Sequence, residues 1–423
     1  MRLFSTLSLA ILLMAPLTHA KSFPSFSLEK PDPAKPELPV IDSIQALTQG
    51  PKHHFFGYYG IPPWNASEKV LVYLETEFGD RLPDPSDKAS LILHDLAAGT
   101  SKTIGETHAW NFQQGALIHW LGSDPENTII YNDRAGDKLQ SVLLNVFTGE
   151  KRTLPRPIAA MSPDGKLAAS INFPRMWGIR PGYSYPGFTD PFATENAPKD
   201  DGLFIMDAVT GESKLIVSMA DILAAQPLPK EYNGNPLYIN HVLFSRDGQR
   251  LLLLARYKAT TGGSITAAFT VNPDGTGLYC LIPYEWNASH YDWLDAKRLI
   301  VSTRYQAGSK WFHVLFTDGQ KECAPLAPDF LQQDGHGHFS SDGKWMVTDS
   351  YPAGEHRMRN LYIMEAASQA IRKVGQFHEP PNFKADCRCD LHPRWNRDAS
   401  QLCIDSTHDG TRQVYLLHVK KNQ

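Results

Sequence analysis

Seven copies of one short pattern constrain the fold of this chain more than any other feature. Each copy has an aromatic or apolar anchor, a Ser/Asn-x-Asp-Gly-like turn and a short β-rich run, and the anchors are Trp64, Trp120, Met161, Phe244, Trp293, Phe339 and Trp395. Each copy is followed by a second strand pair with its own turn, which is a hairpin signal. Four strands in a unit of about 40 to 55 residues is the spacing of propeller blades. The sequence therefore predicts an all-β fold, a seven-bladed β-propeller.

The two ends of the chain complete this organisation. Residues 1–20 carry an early arginine, an apolar run too short to cross a bilayer and small residues before the expected cut, which predicts a signal peptide and a periplasmic or secreted protein. No later stretch has the length of a membrane span. Residues 21–42 are interpreted as a Pro-rich, extended lead-in and residues 43–423 as the propeller. Because the seventh copy ends at its third strand, residues 43–51 are the candidate strand that closes the ring.

One interval between anchors, from Met161 to Phe244, is much longer than the others. The excess, at about 173–200, is too rich in glycine and proline for a blade, but it is dense in arginine and tyrosine: Arg175, Arg180, Tyr183 and Tyr185. Long loops inside a compact fold are usually functional or disordered. The aromatic and arginine content favours a lid or a binding loop.

Histidines recur at one position of the repeat. Three residues before the anchors of the last four copies lie His241, His290, His336 and His392. The first three copies carry Ile61, Leu117 and Ile158 there. The first strand of every blade lines the central channel, so equivalent positions converge on one rim. A lone histidine before a strand is more often a turn residue, but four at one register predict a functional cluster on the axis.

Metal ligands are concentrated before the sixth anchor, in QDGHGHFSSDG. Gln333, His336 and His338 lie within six positions, and on a strand the two histidines point to the same side. Imidazole with an amide oxygen suits Mn²⁺, Fe²⁺, Ni²⁺ or Zn²⁺ better than Ca²⁺ or Mg²⁺. The alternative for Gln333 is a loop hydrogen bond.

Composition excludes some classes of protein. With 41 basic and 45 acidic residues and a net charge of −4, the chain lacks the basic field of a nucleic-acid-binding protein. Its cysteines are odd in number and too sparse for a disulfide framework: Cys280, Cys323, Cys387, Cys389 and Cys403. Cys387 and Cys389 are interpreted either as metal ligands with His392 or as part of one disulfide with buried thiols elsewhere.

The chain resembles the oligogalacturonate lyases, secreted or periplasmic seven-bladed propellers that cleave uronic-acid sugars by β-elimination with a manganese-type ion. The resemblance rests on Gln333-x-x-His336-x-His338 before an anchor, on His290 in SHYDW and on His241 in INHVLFSRDG. It implies a metal site of His290, Gln333, His336 and His338, with Mn²⁺ as the first expectation and Zn²⁺ as the alternative. It also implies that His241 is the catalytic base. The ulvan lyase propellers look like a second relative, in which His, Tyr and Arg do the chemistry.

The implied substrate is a uronic-acid oligosaccharide or polysaccharide, and its carboxylate must be neutralised before the α proton can be removed. Arg256, in the blade of His241, and Arg175, in the long loop, are the candidate catalytic arginines. Tyr183 and Tyr185 are candidates for substrate binding and proton donation. The alternative for each is a structural role, as a surface salt bridge for the arginines and as a packed aromatic ring for the tyrosines.

Several residues fall outside the family pattern. They are FFGYYGIPPWN at 55–65, the DCRC cysteines, and His392 and Arg394 in CDLHPRW. We interpret His392 and Arg394 as parts of a different sugar pocket, with a second metal site as the alternative.

Two other classes of protein remain open. A non-catalytic periplasmic propeller of the TolB-like kind, binding proteins or cell-wall glycans, explains the Ser-x-Asp-Gly turns but not the histidine register. A propeller accessory domain of a serine peptidase is disfavoured, because the sequence has no α/β-hydrolase region and no Gly-x-Ser-x-Gly elbow. A binding module would have no need for a base, so His241 discriminates between lyase and binder.

Overall fold

Seven antiparallel sheets form a ring in the computed structural model, which describes residues 25–30, 38–230, 234–258 and 263–421. The predicted seven-bladed β-propeller is therefore confirmed. The predicted signal peptide, residues 1–20, lies outside the described residues. Within the described ranges, no helix has the length and apolar character needed to cross a membrane.

Most of the chain is strand. The strands are β1 (Phe26–Leu28), β2 (Val40–Ala46), β3 (His53–Phe55), β4 (Val70–Thr76), β5 (Ala89–Asp95), β6 (Thr100–Thr107), β7 (His119–Trp120), β8 (Thr128–Ala135), β9 (Lys138–Asn145), β10 (Lys151–Leu154), β11 (Ala160–Met161), β12 (Leu167–Ser170), β13 (Gly202–Asp207), β14 (Ser213–Ser218), β15 (Tyr238–Phe244), β16 (Leu251–Lys258), β17 (Ser264–Val271), β18 (Tyr279–Ile282), β19 (Ala288–Trp293), β20 (Arg298–Thr303), β21 (Phe312–Thr317), β22 (Cys323–Pro325), β23 (His338–Phe339), β24 (Trp345–Asp349), β25 (Met358–Glu365), β26 (Ile371–His378), β27 (Arg394–Trp395), β28 (Gln401–Ser406) and β29 (Gln413–Lys420). Blades one to five are β3–β6, β7–β10, β11–β14, β15–β18 and β19–β22. Blade six contains β23–β26, and blade seven contains β27–β29.

The amino-terminal segment closes the ring. Strand β2 pairs antiparallel with β29, from Val40 opposite Lys420 to Ala46 opposite Tyr415, and supplies the missing fourth strand of blade seven. It overlaps the predicted closing segment, 43–51, but begins earlier. Part of the predicted lead-in, 21–42, is strand β1, which adds a fifth strand to blade six beside β26. Both pairings cover edges that would otherwise expose unpaired backbone groups.

The repeated Ser-x-Asp-Gly turn has a definite mechanism, shown by residues 245–248. Ser245 donates a hydrogen bond to Asp247 at 2.6 Å, and the same carboxylate accepts the Gln249 N–H at 3.1 Å. Gly248 has φ +74°, a conformation that other residues adopt at a cost. Residues 162–165 and 340–343 repeat these bonds. The side chains therefore fix the hairpins that give the propeller its register.

The insertion interrupts blade three between β12 and β13. It begins with helix α1 (Phe173–Ile179), whose first turn is capped by the Asn172 side chain accepting the Arg175 N–H at 3.0 Å. A short 3₁₀ turn, Pro181–Tyr183, follows. Helix α2 (Met219–Ala225) follows β14. The part of the insertion that follows β12 thus has regular secondary structure, and its Arg180 and Tyr183 line a cavity.

Candidate functional site

Three of the four predicted axial histidines meet at the centre of the ring. The ring centroids of His290 and His336 lie 3.9 Å apart, and those of His336 and His392 lie 4.4 Å apart. All three rings are buried. The fourth, His241, stacks on Tyr58, and the same Tyr58 ring meets His392 edge to face at 5.3 Å.

Local irregularities in the innermost strands aim these side chains at the axis. His241 and His392 have φ of +52° and +42°, which is uncommon for residues other than glycine. The pairing of β15 with β16 shifts register at His241, and that of β19 with β20 shifts across His290. Bulges of this kind re-aim side chains next to functional sites.

The same nitrogen of each clustered imidazole is already engaged. Each Nδ1 lies within hydrogen-bonding distance of an acceptor: His290 with Asp334 at 2.9 Å, His336 with Asp349 at 2.7 Å and His392 with the Gly57 carbonyl at 2.7 Å. Metal-binding histidines typically donate their other ring N–H to a carboxylate or a backbone carbonyl. The three Nε2 atoms are therefore the ones free to bind an ion.

A carboxylate completes the cluster. The ligand atoms of His336, Asp390 and His392 all lie within 4.8 Å of one another. Asp390 is held by Arg359 and Arg388, each at 2.8 Å. Two imidazoles and one carboxylate, with the His290 ring beside that of His336, suit a divalent transition ion such as Mn²⁺ or Zn²⁺. The donor set therefore fits the implied metal, although through a different combination of residues from the predicted one.

Burial and nearby charges shift the pKa values of the three clustered histidines in different directions. Burial lowers the pKa of His290 and lowers that of His392 well below its ordinary value. Burial also acts to lower the pKa of His336, but Asp349, Asp390 and Asp334 outweigh it and raise that pKa. The carboxylates thus balance the positive charge that collects at His336.

The other two predicted ligands face different neighbours. The Nδ1 of His338 is 3.0 Å from the Asp292 carboxylate. The Gln333 side chain lies beside the Tyr362 hydroxyl of β25. Their roles as ligands stay predictions, and the geometry groups His336 with His392 and Asp390.

His241 has an enclosed environment of aromatic rings. Its ring stacks on Tyr58 at 4.7 Å with an interplanar angle of 10°, and Tyr183 stands edge-on at 5.5 Å. The Gln114 amide lies 3.1 Å from Nδ1. Burial, and then the charge of Arg256, lower the pKa of His241 well below its ordinary value. The imidazole is therefore neutral at neutral pH and able to accept a proton.

The loop FFGYYGIPPWN, which the sequence left unassigned, delivers Tyr58 and Tyr59 to the axis. Gly57 adopts φ +124°, and a Cβ there would lie 2.6 Å from the Gln114 carbonyl carbon. Arg394, predicted to bind substrate, is fully buried and donates to the Gly57 carbonyl at 2.9 Å and the Tyr58 carbonyl at 3.1 Å. This geometry makes Arg394 a support of the loop.

A polar cavity of about 160 Å³ opens beside His241 and the histidine cluster. Its lining comprises Arg180, Tyr183, His241, Arg256, Ser264, Thr266, Asn287, Ala288, Ser289, His290, Trp311, Asp334 and Tyr351. Arg256 is buried, and its Nε has no hydrogen-bond partner. In the described part of the chain, neither Arg256 nor Arg180 forms an ion pair with a carboxylate. Two uncompensated guanidinium groups beside one cavity form a site for an anion.

The remaining predicted residues divide between cavity and scaffold. Tyr183 lines the cavity, and its hydroxyl accepts from Arg388 at 2.6 Å. Tyr185 is buried away from the cavity, where its hydroxyl accepts from Asn132 at 2.9 Å. Arg175 donates within the insertion and to the Leu237 carbonyl, so its guanidinium is not available to a ligand.

The cysteines form no disulfide and take no part in the cluster. All five are free thiols, and Cys387 and Cys389 are buried. The disulfide interpretation is therefore wrong for this structure. Among the described residues, the one group of histidine, cysteine and acidic side chains arranged to hold an ion contains no sulfur.

The fold and the axial histidines thus define a seven-bladed propeller with a candidate metal and acid–base centre, and solved structures with this fold are known. An oligogalacturonate lyase in complex with manganese is 14% identical, with a TM-score of 0.64 over 89% of this chain and 93% of that one. An oligogalacturonate lyase from Vibrio parahaemolyticus is 12% identical, with a TM-score of 0.61 over 93% of this chain and 96% of that one. The tricorn protease is 10% identical, with a TM-score of 0.52 over 88% of this chain but 34% of that one.

The comparisons that use sequence alone give no match. No family model matches the chain, and no curated protein matches it significantly. At these identities the structural likeness establishes the fold.

Proposed function

We propose that this protein is a polysaccharide or oligosaccharide lyase that cleaves a uronic-acid-containing glycan by β-elimination. The observation that carries the proposal is one cavity lined by a neutral, buried histidine and two guanidinium groups without carboxylate partners. β-Elimination next to a uronate carboxyl group requires a base and a positive charge close together. The proposed setting is the periplasm or the extracellular space, where such glycans occur.

His241 is the base that removes the proton α to the uronate carboxyl group. For this role one ring nitrogen of His241 must be unprotonated, and the N–H of the other must be held by a hydrogen bond. The Gln114 Nε2 faces Nδ1 at 3.1 Å, and with the amide turned so that its oxygen accepts from Nδ1–H, Nε2 is the basic nitrogen. Because the pKa of His241 is low, the base form needs no prior deprotonation at neutral pH.

The carboxylate of the substrate is neutralised by Arg256 and Arg180. Both line the cavity with His241, and burial of Arg256 strengthens its interaction with an anion. A divalent ion held by His290, His336, His392 and Asp390 would supply Lewis-acid polarisation of the same carboxylate. These charges make the α proton more acidic, which is the requirement of the reaction.

Tyr183 is the proton donor for the leaving oxygen. Its hydroxyl oxygen accepts from Arg388, so its own proton is free to be donated into the cavity. As His241 takes the α proton, the electron pair forms the new double bond, the C4–O bond breaks and the leaving oxygen takes the Tyr183 proton. His392, predicted to bind sugar, instead belongs to the proposed metal centre.

The test is a lyase assay on a panel of uronate glycans. Metal-loaded protein would be incubated with oligogalacturonate, ulvan, alginate and glycosaminoglycan oligomers, and the ultraviolet absorbance of the unsaturated uronate followed. We expect a rise with one substrate, and loss of that rise on addition of EDTA. No rise on any substrate, with metal bound, would contradict the proposal and favour a binding propeller.

A further inference from the structure

The catalytic cavity continues outward to an aromatic side chain that the reaction does not use. Trp311 precedes β21 and lines the same cavity as His241 and Arg256. Between them the wall on blades four and five is polar and uncharged, formed by Ser264, Thr266, Asn287 and Ser289. Hydroxyl and amide groups of this kind hydrogen-bond to sugar hydroxyls. The cavity therefore extends from the reacting centre towards a half-buried aromatic ring.

One cation lies over that ring, and a second precedes it in the chain. The Arg304 guanidinium carbon lies 5.5 Å from the centroid of the Trp311 ring, in cation–π geometry. Lys310 is exposed, and its ammonium group donates to the neutral side-chain oxygen of Gln332 at 2.6 Å. Within the described ranges, neither cation forms an ion pair with a carboxylate. We name Arg304, Lys310 and Trp311 the blade-five rim.

Hydrogen bonds and ring packing hold the backbone around Arg304 in place. The Arg304 N–H donates to the Trp286 carbonyl at 2.8 Å, and the Ala307 N–H donates to the Arg304 carbonyl at 3.0 Å. The Trp286 and Tyr305 rings pack edge to face at 5.4 Å. A platform ordered before binding loses little conformational freedom when a ligand arrives.

We propose that the blade-five rim binds the sugar unit next to the one that reacts, and that this unit is itself anionic. This inference rests on the proposed function. The flat Trp311 face suits the apolar C–H face of a sugar ring, while Arg304 and Lys310 suit a carboxylate or a sulfate beside it. Arg180 and Arg256 already serve the reacting carboxylate, so the rim cations are left for a second anionic group.

The experiment measures binding apart from turnover, in a His241→Ala background that cannot remove the proton. Calorimetry would use galacturonate tetramers, sulfated ulvan oligomers and, as a neutral probe, cellotetraose. We expect Trp311→Ala and Arg304→Gln each to weaken binding of an anionic oligomer about tenfold. Phe147→Ala removes an exposed aromatic on another blade, and Arg298→Gln removes an exposed cation on the same blade. Both controls should leave binding unchanged.

The outcomes separate this inference from the proposed function. If the chain cleaves a uronate glycan but the rim variants bind it like the parent, the rim inference is overturned and the lyase remains. If anionic oligomers bind through Trp311 and Arg304 but no glycan is cleaved, the rim stands and the lyase falls. Preference for sulfated over carboxylated oligomers identifies the second anionic group. Equal binding of cellotetraose would overturn the anionic assignment.

Discussion

The loop that brings Tyr58 and Tyr59 to the axis should depend on one buried ion pair. Arg394 and Asp405 are almost fully buried and lie 2.8 Å apart. The Asp405 carboxylate also accepts the backbone N–H groups of Phe56 and Gly57 at 3.3 and 3.2 Å. Asp405→Asn leaves the Arg394 charge uncompensated, and breaking a buried pair in this way costs about 3–5 kcal/mol. We expect that loss in the free energy of unfolding, together with lower activity because Tyr58 no longer packs on His241.

The assay is urea unfolding followed by tryptophan fluorescence, with the slope of the transition used to check that the same surface unfolds. Asp274→Asn is the matched control, because Asp274 is an exposed turn residue that caps Thr276, and its loss should change stability by no more than about 0.5 kcal/mol. The double variant Arg394→Met with Asp405→Leu should be less destabilised than Asp405→Asn, since it leaves no unpaired charge. A loss below about 1 kcal/mol for Asp405→Asn would refute the reasoning, since buried pairs broken from one side cost more.

Three further predictions concern the candidate centre. His241→Ala should fold with unchanged metal content, measured by elemental analysis, and lose turnover; retained turnover would remove His241 from the mechanism. His336→Ala should lose both bound metal and activity, whereas Gln333→Ala should keep its metal because that side chain lies beside Tyr362; loss of the metal from Gln333→Ala as well would restore the sequence-based ligand set. Because burial and Arg256 depress the pKa of His241, a pH–rate profile should hold its plateau through neutral pH and fall only in acid, as the base becomes protonated. A profile that is still rising above neutral pH would contradict a depressed pKa.

The repeat allowed the fold to be predicted because each turn is fixed locally. Ser245, Asp247 and Gly248 form their hydrogen bonds within a few residues, so their pattern is visible in the sequence. Strand β1 was not predicted, since its pairing with β26 joins segments far apart in the chain. Nothing in the three residues of β1, Phe26–Leu28, distinguishes them from the rest of the Pro-rich segment.

The candidate site could be predicted only where residues share a position in the repeat. His290 and His336 were found in this way, and the structure places their rings 3.9 Å apart. Asp390 lies two residues before His392, outside the register that was compared, although the spacing Asp-x-His was a usable signal. Arg175 was predicted to be a catalytic arginine because the sequence of a loop does not show whether its arginines face a ligand or backbone carbonyls. Only the packing of the insertion decides between them.

The most direct test of the central claim is cleavage of the active glycan in water enriched in heavy oxygen, with the products weighed by mass spectrometry. β-Elimination breaks the C4–O bond without adding water, so we expect unsaturated products that carry no heavy oxygen when they are reduced at once, before the new anomeric carbon exchanges its oxygen with the water. Saturated products that have gained one heavy oxygen atom per cleavage would show hydrolysis and would contradict the assignment of His241 as the base in an elimination.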